Sequence, residues 1–557
     1  MNAPVDPARN AGIYFAADGY DPAAKGINGR RVAGESFLRG YLHHADVAEF
    51  VSLTPRKADQ DQFDRIAAEE RPGMPHRGVP LRSMPRMAPV GTLYYPSPNF
   101  AAECWRRAPM GAAAWSICGI THTTATKGVM QGFFDMRMAP QAEWDAVICT
   151  SRAVLASVLH QFDLIEDHLR DRFGARIPPR PQLPVIPLGV DTAAFAPDAA
   201  AGAALRKRLG LGAGDVLFTT IARLTPYEKF DPLPLYIALA RAQAQLPKGT
   251  RLHLALCGIY RDDYSRDVFE EGAAGLMPGI GFHVLDGADA AERRAVLSGA
   301  DVFVFPIDNI QETFGLAPIE AMAAGLPVLV SDWDGMRDTV TPEVGIRVPT
   351  RSLGPDHAAD EGFRHLTGID TYPQYCALTS AMTEIEMPAL VAAIVALARD
   401  PALRRRMGAA GQARARALYD WAQVVPRMQD LWQELALRRS AAAGRAAPMP
   451  RATLPVGPSP FGLFGAWPST QGGFAGQRFV AETSATDVAG ALALRDYLRG
   501  GRQTERSESF AQVAAAIGAK GAAGAGRDDL AAALKLPPAQ IDRLLIWLLK
   551  YGFIRRM

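Results

Sequence analysis

Two carboxylates carry the first chemical signal in this chain. Glu312 and Glu320 are separated by seven residues in Glu312-Thr313-Phe314-Gly315-Leu316-Ala317-Pro318-Ile319-Glu320-Ala321-Met322-Ala323-Ala324-Gly325. This segment follows a strand-like apolar run at 301–306 through a short loop. Pro318 suits a helix that starts near Leu316, because first-turn N–H groups have no partner inside the helix. Gly325 then supplies the stop. The backbone of Thr313, Phe314, Gly315 and Leu316 would thus present N–H groups at a helix N-terminus, which is an anion site. Gly315 leaves room for a close approach. Glu312 falls just before the helix and Glu320 about two turns along it. Carboxylates flanking an anion site suit a ligand that joins phosphate to hydroxyl groups, since ionised carboxylates only accept hydrogen bonds.

A second cluster supplies cations. The run 217–222 ends at Arg223, and Lys229 follows six residues later, ahead of a helical stretch. Cations preset at a strand end stabilise charge that develops on a departing phosphate more than charge already present. In its E-T-F-G and E-A-M-A-A-G-L-P-V wording the chain resembles family 4 of the retaining glycosyltransferases. That family's signature is two glutamates at this spacing. The resemblance implies that Glu312 meets the hydroxyls of a donor sugar and Glu320 the ribose of its nucleotide, with Arg223 and Lys229 on the diphosphate. One departure is Phe230, where the family usually places glycine after the lysine. By the same resemblance Gly26 and Gly29 form a glycine-rich loop facing the donor phosphates and the acceptor, and His122 stands near the transferred sugar. The likeness runs from Ile13 to about Leu437 and is strongest from Ala146 to Val340.

These residues need elements to position them. Apolar runs at 13–17, 47–54, 91–95, 113–121, 146–150 and 185–188 alternate with helical patterns at 31–43, 57–69, 100–107 and 152–162, which implies β-α-β units and a parallel sheet. The Pro-, Arg- and Met-rich residues 71–89 read as a long surface loop. After an Ala/Gly-rich spacer a second alternation follows, with strands at 216–222, 252–258, 281–285, 301–306 and 327–331. Its helices fall at 233–245, 290–298, 316–324, 388–399 and 403–417, and an insertion at 351–386 interrupts it. The expected fold is α/β, with two doubly wound Rossmann-like domains facing across a cleft, the GT-B arrangement of the resembled family. The first domain covers 1–190 and the second 191–400, with helices at 401–440 returning to the first. A linker at 441–476 leads to a small, mostly helical module at 477–557. Ligands bind such sheets at the carboxyl ends of their strands.

In that module, helices at 528–536 and 541–551 joined by a tight turn, with a strand starting near Gly552, resemble a winged helix. The second helix carries Leu544, Leu545, Ile546, Trp547, Leu548 and Leu549, too apolar a face for a DNA groove. That run is longer than one buried stripe, so a protein partner or a second copy is expected on 477–557, and nucleic acid is not. A formal net charge of +2 argues the same way for the whole chain.

The five cysteines, Cys104, Cys118, Cys149, Cys257 and Cys376, are scattered. The first residues lack the pattern of a signal peptide, and no apolar run reaches the ~20 residues of a membrane helix. A cytoplasmic chain with at most peripheral contact at the inner membrane surface is expected. Asp332-Trp333-Asp334 spells D-x-D but follows a strand inside a domain already assigned, and the ten histidines show no zinc spacing. No metal or cofactor is expected: a nucleotide diphosphate-sugar is the implied co-substrate, and a glycan or glycolipid hydroxyl the implied acceptor. The rival reading from another class is a nucleotide-sugar-binding sensor that signals through the C-terminal module. It has no need of Arg223 and Lys229. An epimerase of the same fold would lack the glutamate pair.

Overall fold

The computed structural model describes residues 6–20, 29–442, 444, 446–494 and 505–557. They fall into two compact units, Met1–Val456 and Gly457–Met557. The first unit holds two six-stranded sheets. One is built from β1 (Gly12–Tyr14), β2 (Phe50–Thr54), β3 (His76–Pro80), β4 (Thr92–Tyr95), β5 (Ser116–Ile120) and β6 (Ala146–Ile148). The other comprises β7 (Val216–Leu224), β8 (Leu252–Tyr260), β9 (Gly281–Asp286), β10 (Val302–Phe305), β11 (Val328–Ser331) and β12 (Gly345–Val348). Their orders, β3-β2-β1-β4-β5-β6 and β12-β11-β10-β7-β8-β9, follow one doubly wound pattern, and the strands run parallel. Central strands such as β7, β8 and β10 carry runs of buried apolar residues because helices cover both faces. In each sheet the order reverses once, between β1 and β4 and between β7 and β10, and there loops diverge to leave a crevice.

Four readings of the sequence are corrected. Residues 71–89 are no surface loop. His76–Pro80 forms edge strand β3, registered from Phe50↔His76 to Thr54↔Pro80, and Met84 and Met87 of the following 3-10 helix are buried. A proline is acceptable on an edge strand, and the methionines fill core space that their composition class concealed. Residues 185–188 form no strand: Val185 makes one bridge to Cys149, with Pro184 and Pro187 removing donors on either side. The Ala/Gly-rich spacer contains a helix, Ala199–Arg208, capped by the Asp198 side chain on the N–H of Ala201. Alanine is the strongest helix former. Gly202 lets that helix touch the Ala290–Gly299 helix, since a Cβ there would lie 2.5 Å from the Ser298 carbonyl. The fourth correction concerns the apolar run at 544–549, below.

The Trp421–Ala442 helix lies on the first domain. Trp421 Nε1 donates to Ser36 Oγ at 2.9 Å, Gln429 bonds the carbonyls of Arg9 and Asp46, and Arg439 reaches Ser116 Oγ at 2.7 Å. It ties the end of the second domain's chain to the first sheet. All five cysteines are buried.

In the Gly457–Met557 unit, β15 (Arg478–Ala481) pairs antiparallel with β16 (Ala525–Gly526) and β17 (Ile554–Arg556), β13 (Thr350–Ser352) and β14 (Thr383–Ile385) being a small pair in the first unit. Helices Ala485–Leu494, Ser507–Gly518, Arg527–Leu534 and Pro538–Lys550 complete the unit. Ile541, Leu544, Leu545 and Leu548 form its buried stripe, and Trp547 meets Phe510 and Tyr551 at ring distances of 4.7 and 4.5 Å. Only Ile546 of the run is largely exposed, at 54%. The unit's own strands and helices cover two sides of this helix, so the run gives no argument for a partner. Among the described residues no helix is long and apolar enough to cross a membrane.

Candidate functional site

The two cation-bearing and carboxylate-bearing loops leave neighbouring strands. β7 and β10 pair side by side where the second sheet's order reverses. Arg223 lies at the end of strand β7 and Lys229 in the loop beyond it, while Glu312 lies in the loop after β10. Asn309, fully buried, locks the loops together: its Nδ2 donates to the Tyr227 carbonyl at 2.8 Å and its Oδ1 accepts from the N–H of Gln311. The Trp333 indole donates to the Asn309 carbonyl at 3.1 Å, adding the loop after β11.

Within this frame Lys229 Nζ donates to Glu312 Oε2, and the ammonium stands 5.1 Å over the Phe305 ring. The Lys229 and Glu312 side chains are 22% and 14% exposed. Arg223 Nη2 donates to Gln311 Oε1 at 3.2 Å and Nη1 lies 3.5 Å from Glu228, which also pairs with Arg261. Glu312 Oε1 accepts from the N–H of Gly315 at 3.1 Å. That contact corrects the expectation of unoccupied N–H groups at this helix start, for Glu312 itself caps one of them. Gly315 sits at φ 81, in the left-handed region, so glycine is required by conformation as well as by space. Burial disfavours the charge on Glu312, but Lys229 and the N–H groups of Gly315 and Thr313 outweigh it and hold its carboxyl below the ordinary range.

Glu320 has the opposite balance. Burial pushes its carboxyl up to about 7, only partly offset by Arg293 and Lys229. A carboxyl with a folded pKa above its unfolded value near 4.5 stabilises the fold fully in acid and loses that contribution as pH rises through about 7. Glu320→Gln is therefore expected to raise stability by about 2–3 kcal/mol at pH 8 and leave it unchanged near pH 4. Thermal melts at the two pH values check this, and equal effects at both would refute the burial argument.

The first domain meets this site at the end of β5. Thr313 Oγ1 donates to the His122 carbonyl at 2.7 Å. The structure thus brings His122 to the Glu312 loop through its backbone, and His122 borders a narrow cleft with Tyr94, Pro96 and Trp421. Arg152 bonds both oxygens of Asp338, a second link across the domains. Phe314 turns its ring into the core against Tyr419, and only its backbone can face a ligand. Leu316 is the first residue of the helix. Gly29 opens the Gly29–His44 helix, and Gly26 lies outside the described residues.

Three features were not read from the sequence. Glu228 and Gln311 hold Arg223, the second of them from a loop 88 positions along the chain. Asp334 sits in the left-handed region at φ 48, one carboxyl oxygen buried without a hydrogen-bond partner among the described residues. Burial, then the nearby charge of Glu312, drives its pKa well up. Asp332 instead faces Arg347 at 3.3 Å, so the two aspartates do not act as one pair. Finally, the insertion bridges the domains beside the site. Ser380 Oγ donates to Asp308 Oδ1 at 2.5 Å, and Lys127 Nζ reaches the Leu366 carbonyl at 2.6 Å. Its polar composition concealed this role. Among the described residues no group of three His, Cys, Asp or Glu side chains could hold a metal ion.

Residues 203–361, which include Arg223, Lys229, Glu312 and Glu320, match the family model for Glycosyl transferases group 1. The chain is 30% identical over 224 residues to a GDP-mannose-dependent alpha-(1-6)-phosphatidylinositol monomannoside mannosyltransferase of Mycobacterium tuberculosis, a match covering 39% of this chain and 55% of that protein. It is 28% identical over 272 residues to a D-inositol 3-phosphate glycosyltransferase of Kineococcus radiotolerans, covering 47% of this chain and 53% of the relative. The chain thus spans about half the length of these relatives. Among solved structures it is similar to Anabaena Alr3699/HepE in complex with UDP, at 14% identity and a TM-score of 0.47, over 77% of this chain and 98% of that one.

Proposed function

We propose that this chain is a retaining glycosyltransferase that moves a sugar from a nucleoside-diphosphate donor to a glycolipid hydroxyl. The observation that carries the reading is the Lys229–Glu312–Gly315 constellation, set where β7 and β10 diverge and linked to the first domain through Thr313 and His122. A diphosphate seated at this strand end finds Lys229 and Arg223 as cations, and the Leu316–Ala323 helix directs its N-terminus to the same place. Glu312 accepts from hydroxyls of the donor sugar and Glu320 from the ribose. As the bond between the sugar's anomeric carbon and the phosphate oxygen breaks, the acceptor oxygen bonds to the same face, and the departing phosphate takes the acceptor's proton. Charge grows on the phosphate during that step, so preset cations lower the barrier. The glycolipid acceptor is supported by the mycobacterial relative, whose name specifies a phosphatidylinositol monomannoside, while the Kineococcus relative's name specifies inositol 3-phosphate. The protein then works from the cytoplasmic side at a membrane surface.

The testing experiment incubates the chain with a panel of nucleotide sugars, measures thermal stabilisation and slow donor hydrolysis, and assigns the anomeric configuration of any transfer product by NMR. An inverted product refutes retention, and the absence of both stabilisation and hydrolysis across the panel refutes the donor site. Transfer is also expected to survive EDTA, since Lys229, Arg223 and a helix N-terminus already offer the positive charge a diphosphate needs. Activity abolished by chelation and restored by magnesium or manganese would reopen Asp332 and Asp334 as ligands.

A further inference from the structure

The Gly457–Met557 unit presents a group of large apolar side chains to water. Around the Pro460–Leu463 turn of helix, Phe461 is 78% exposed, Leu463 63% and Trp467 80%. The Phe464 and Trp467 rings lean together with centroids 4.6 Å apart. The backbone beneath them satisfies itself. The N–H groups of Gly462 and Leu463 bond the Ser459 carbonyl, that of Phe464 bonds Pro460, that of Trp467 bonds Phe464, and the Gln471 amide donates to the Phe461 carbonyl. Such a turn can leave water with few unmet backbone groups, which is the main obstacle to placing irregular chain against lipid.

Charge along the sequence points to the same surroundings. Residues 452–477 contain no charged residue, and 435–481 contain no Asp or Glu; of the arginines there Arg451 is exposed and Arg478 pairs with Asp529, while Arg438 is held by Glu434 and Arg439 by Gly91 and Ser116. An uncharged aromatic stretch that follows the exposed Arg451 and has no acidic residue within it complements an anionic interface, where Trp and Phe rings occupy the headgroup level. A second copy of the same stretch would instead set arginines against arginines.

We propose that the aromatic turn at 460–467 inserts into the headgroup region of an anionic lipid bilayer and anchors the chain peripherally. This stands apart from the sugar-transfer reading, because vesicle binding is measured without donor or acceptor. The full chain is sedimented with mixed phosphatidylcholine–phosphatidylglycerol vesicles and with pure phosphatidylcholine vesicles. Expected are binding to the mixed vesicles, weaker binding to the neutral ones, and a fall in binding as salt rises. Phe461→Ser combined with Trp467→Ser should lower affinity for the mixed vesicles by about tenfold or more. Both side chains already face water, so the melting temperature should hold. Failure of the wild type to sediment with either vesicle, or equal binding by the variant, overturns the proposal. So does a dimer in light scattering that the same variant dissolves, since the turn would then belong to a second copy of the chain.

Discussion

Lys229→Ala is expected to lower turnover by about 30- to 1,000-fold, with a smaller change in donor KM. The range corresponds to removing one preset donor from a developing charge, about 2–4 kcal/mol. Lys229 has a double task in the structure: its ammonium pairs with Glu312, and it lies over the Phe305 ring. Without it, Glu312 keeps the Gly315 N–H but loses the charge that outweighs burial, so its carboxyl pKa should climb. The surviving activity of Lys229→Ala should therefore shift to higher pH, where Glu312 is again ionised. Arg223→Ala should have a milder effect in the same direction, because its side chain is 40% exposed and solvent screens it. Steady-state kcat and KM across pH check these outcomes. A raised KM at unchanged kcat would assign the lysine to ground-state binding alone. Full activity in the double variant would remove Arg223 and Lys229 from the chemistry.

The second large effect is on stability. Arg107 and Asp145 are both fully buried in the first domain and joined by two contacts, 2.5 and 2.7 Å. Arg107 also donates to the Trp115 carbonyl, while Asp145 accepts from the N–H groups of Ile117 and Ala142. The pair thus fixes the start of β5, the strand whose far end leads to His122. Asp145→Ala is expected to destabilise the fold by about 3–5 kcal/mol, because it leaves a buried guanidinium and two N–H groups without their acceptor. Chemical denaturation of the two proteins measures this. A loss under about 1 kcal/mol would mean that water reaches Arg107.

Much of the scaffold could be read along the chain because it is locally encoded. Strands such as β7, β8 and β10 are apolar runs buried on both faces, and helices at Leu316–Ala323 and Met387–Arg399 carry their own start and stop residues. The glutamate pair and its glycine lie in one continuous segment, so their spacing alone places them at the mouth of a helix. The misread segments were those whose composition and environment disagree. Residues 76–80 form a strand because β2 offers an edge, and the alanine-rich helix at Ala199–Arg208 holds its place through Gly202 against a helix near residue 299. The aliphatic run ending at Leu549 is satisfied inside its own unit by strands and helices on two sides.

Sequence by itself determined two parallel-sheet domains, the segments that carry Arg223, Lys229, Glu312 and Glu320, and the helix terminus between the glutamates. Tertiary structure alone decided which of these groups meet. Lys229 finds Glu312 across 83 positions, Thr313 finds His122 across 191, and Lys127 finds Leu366 across 239. Periodicity and capping are properties of neighbouring residues and survive in a linear reading. A contact between loops depends on where two sheets end and how each loop turns, and a burial-driven pKa such as that of Glu320 depends on every atom that displaces water around it.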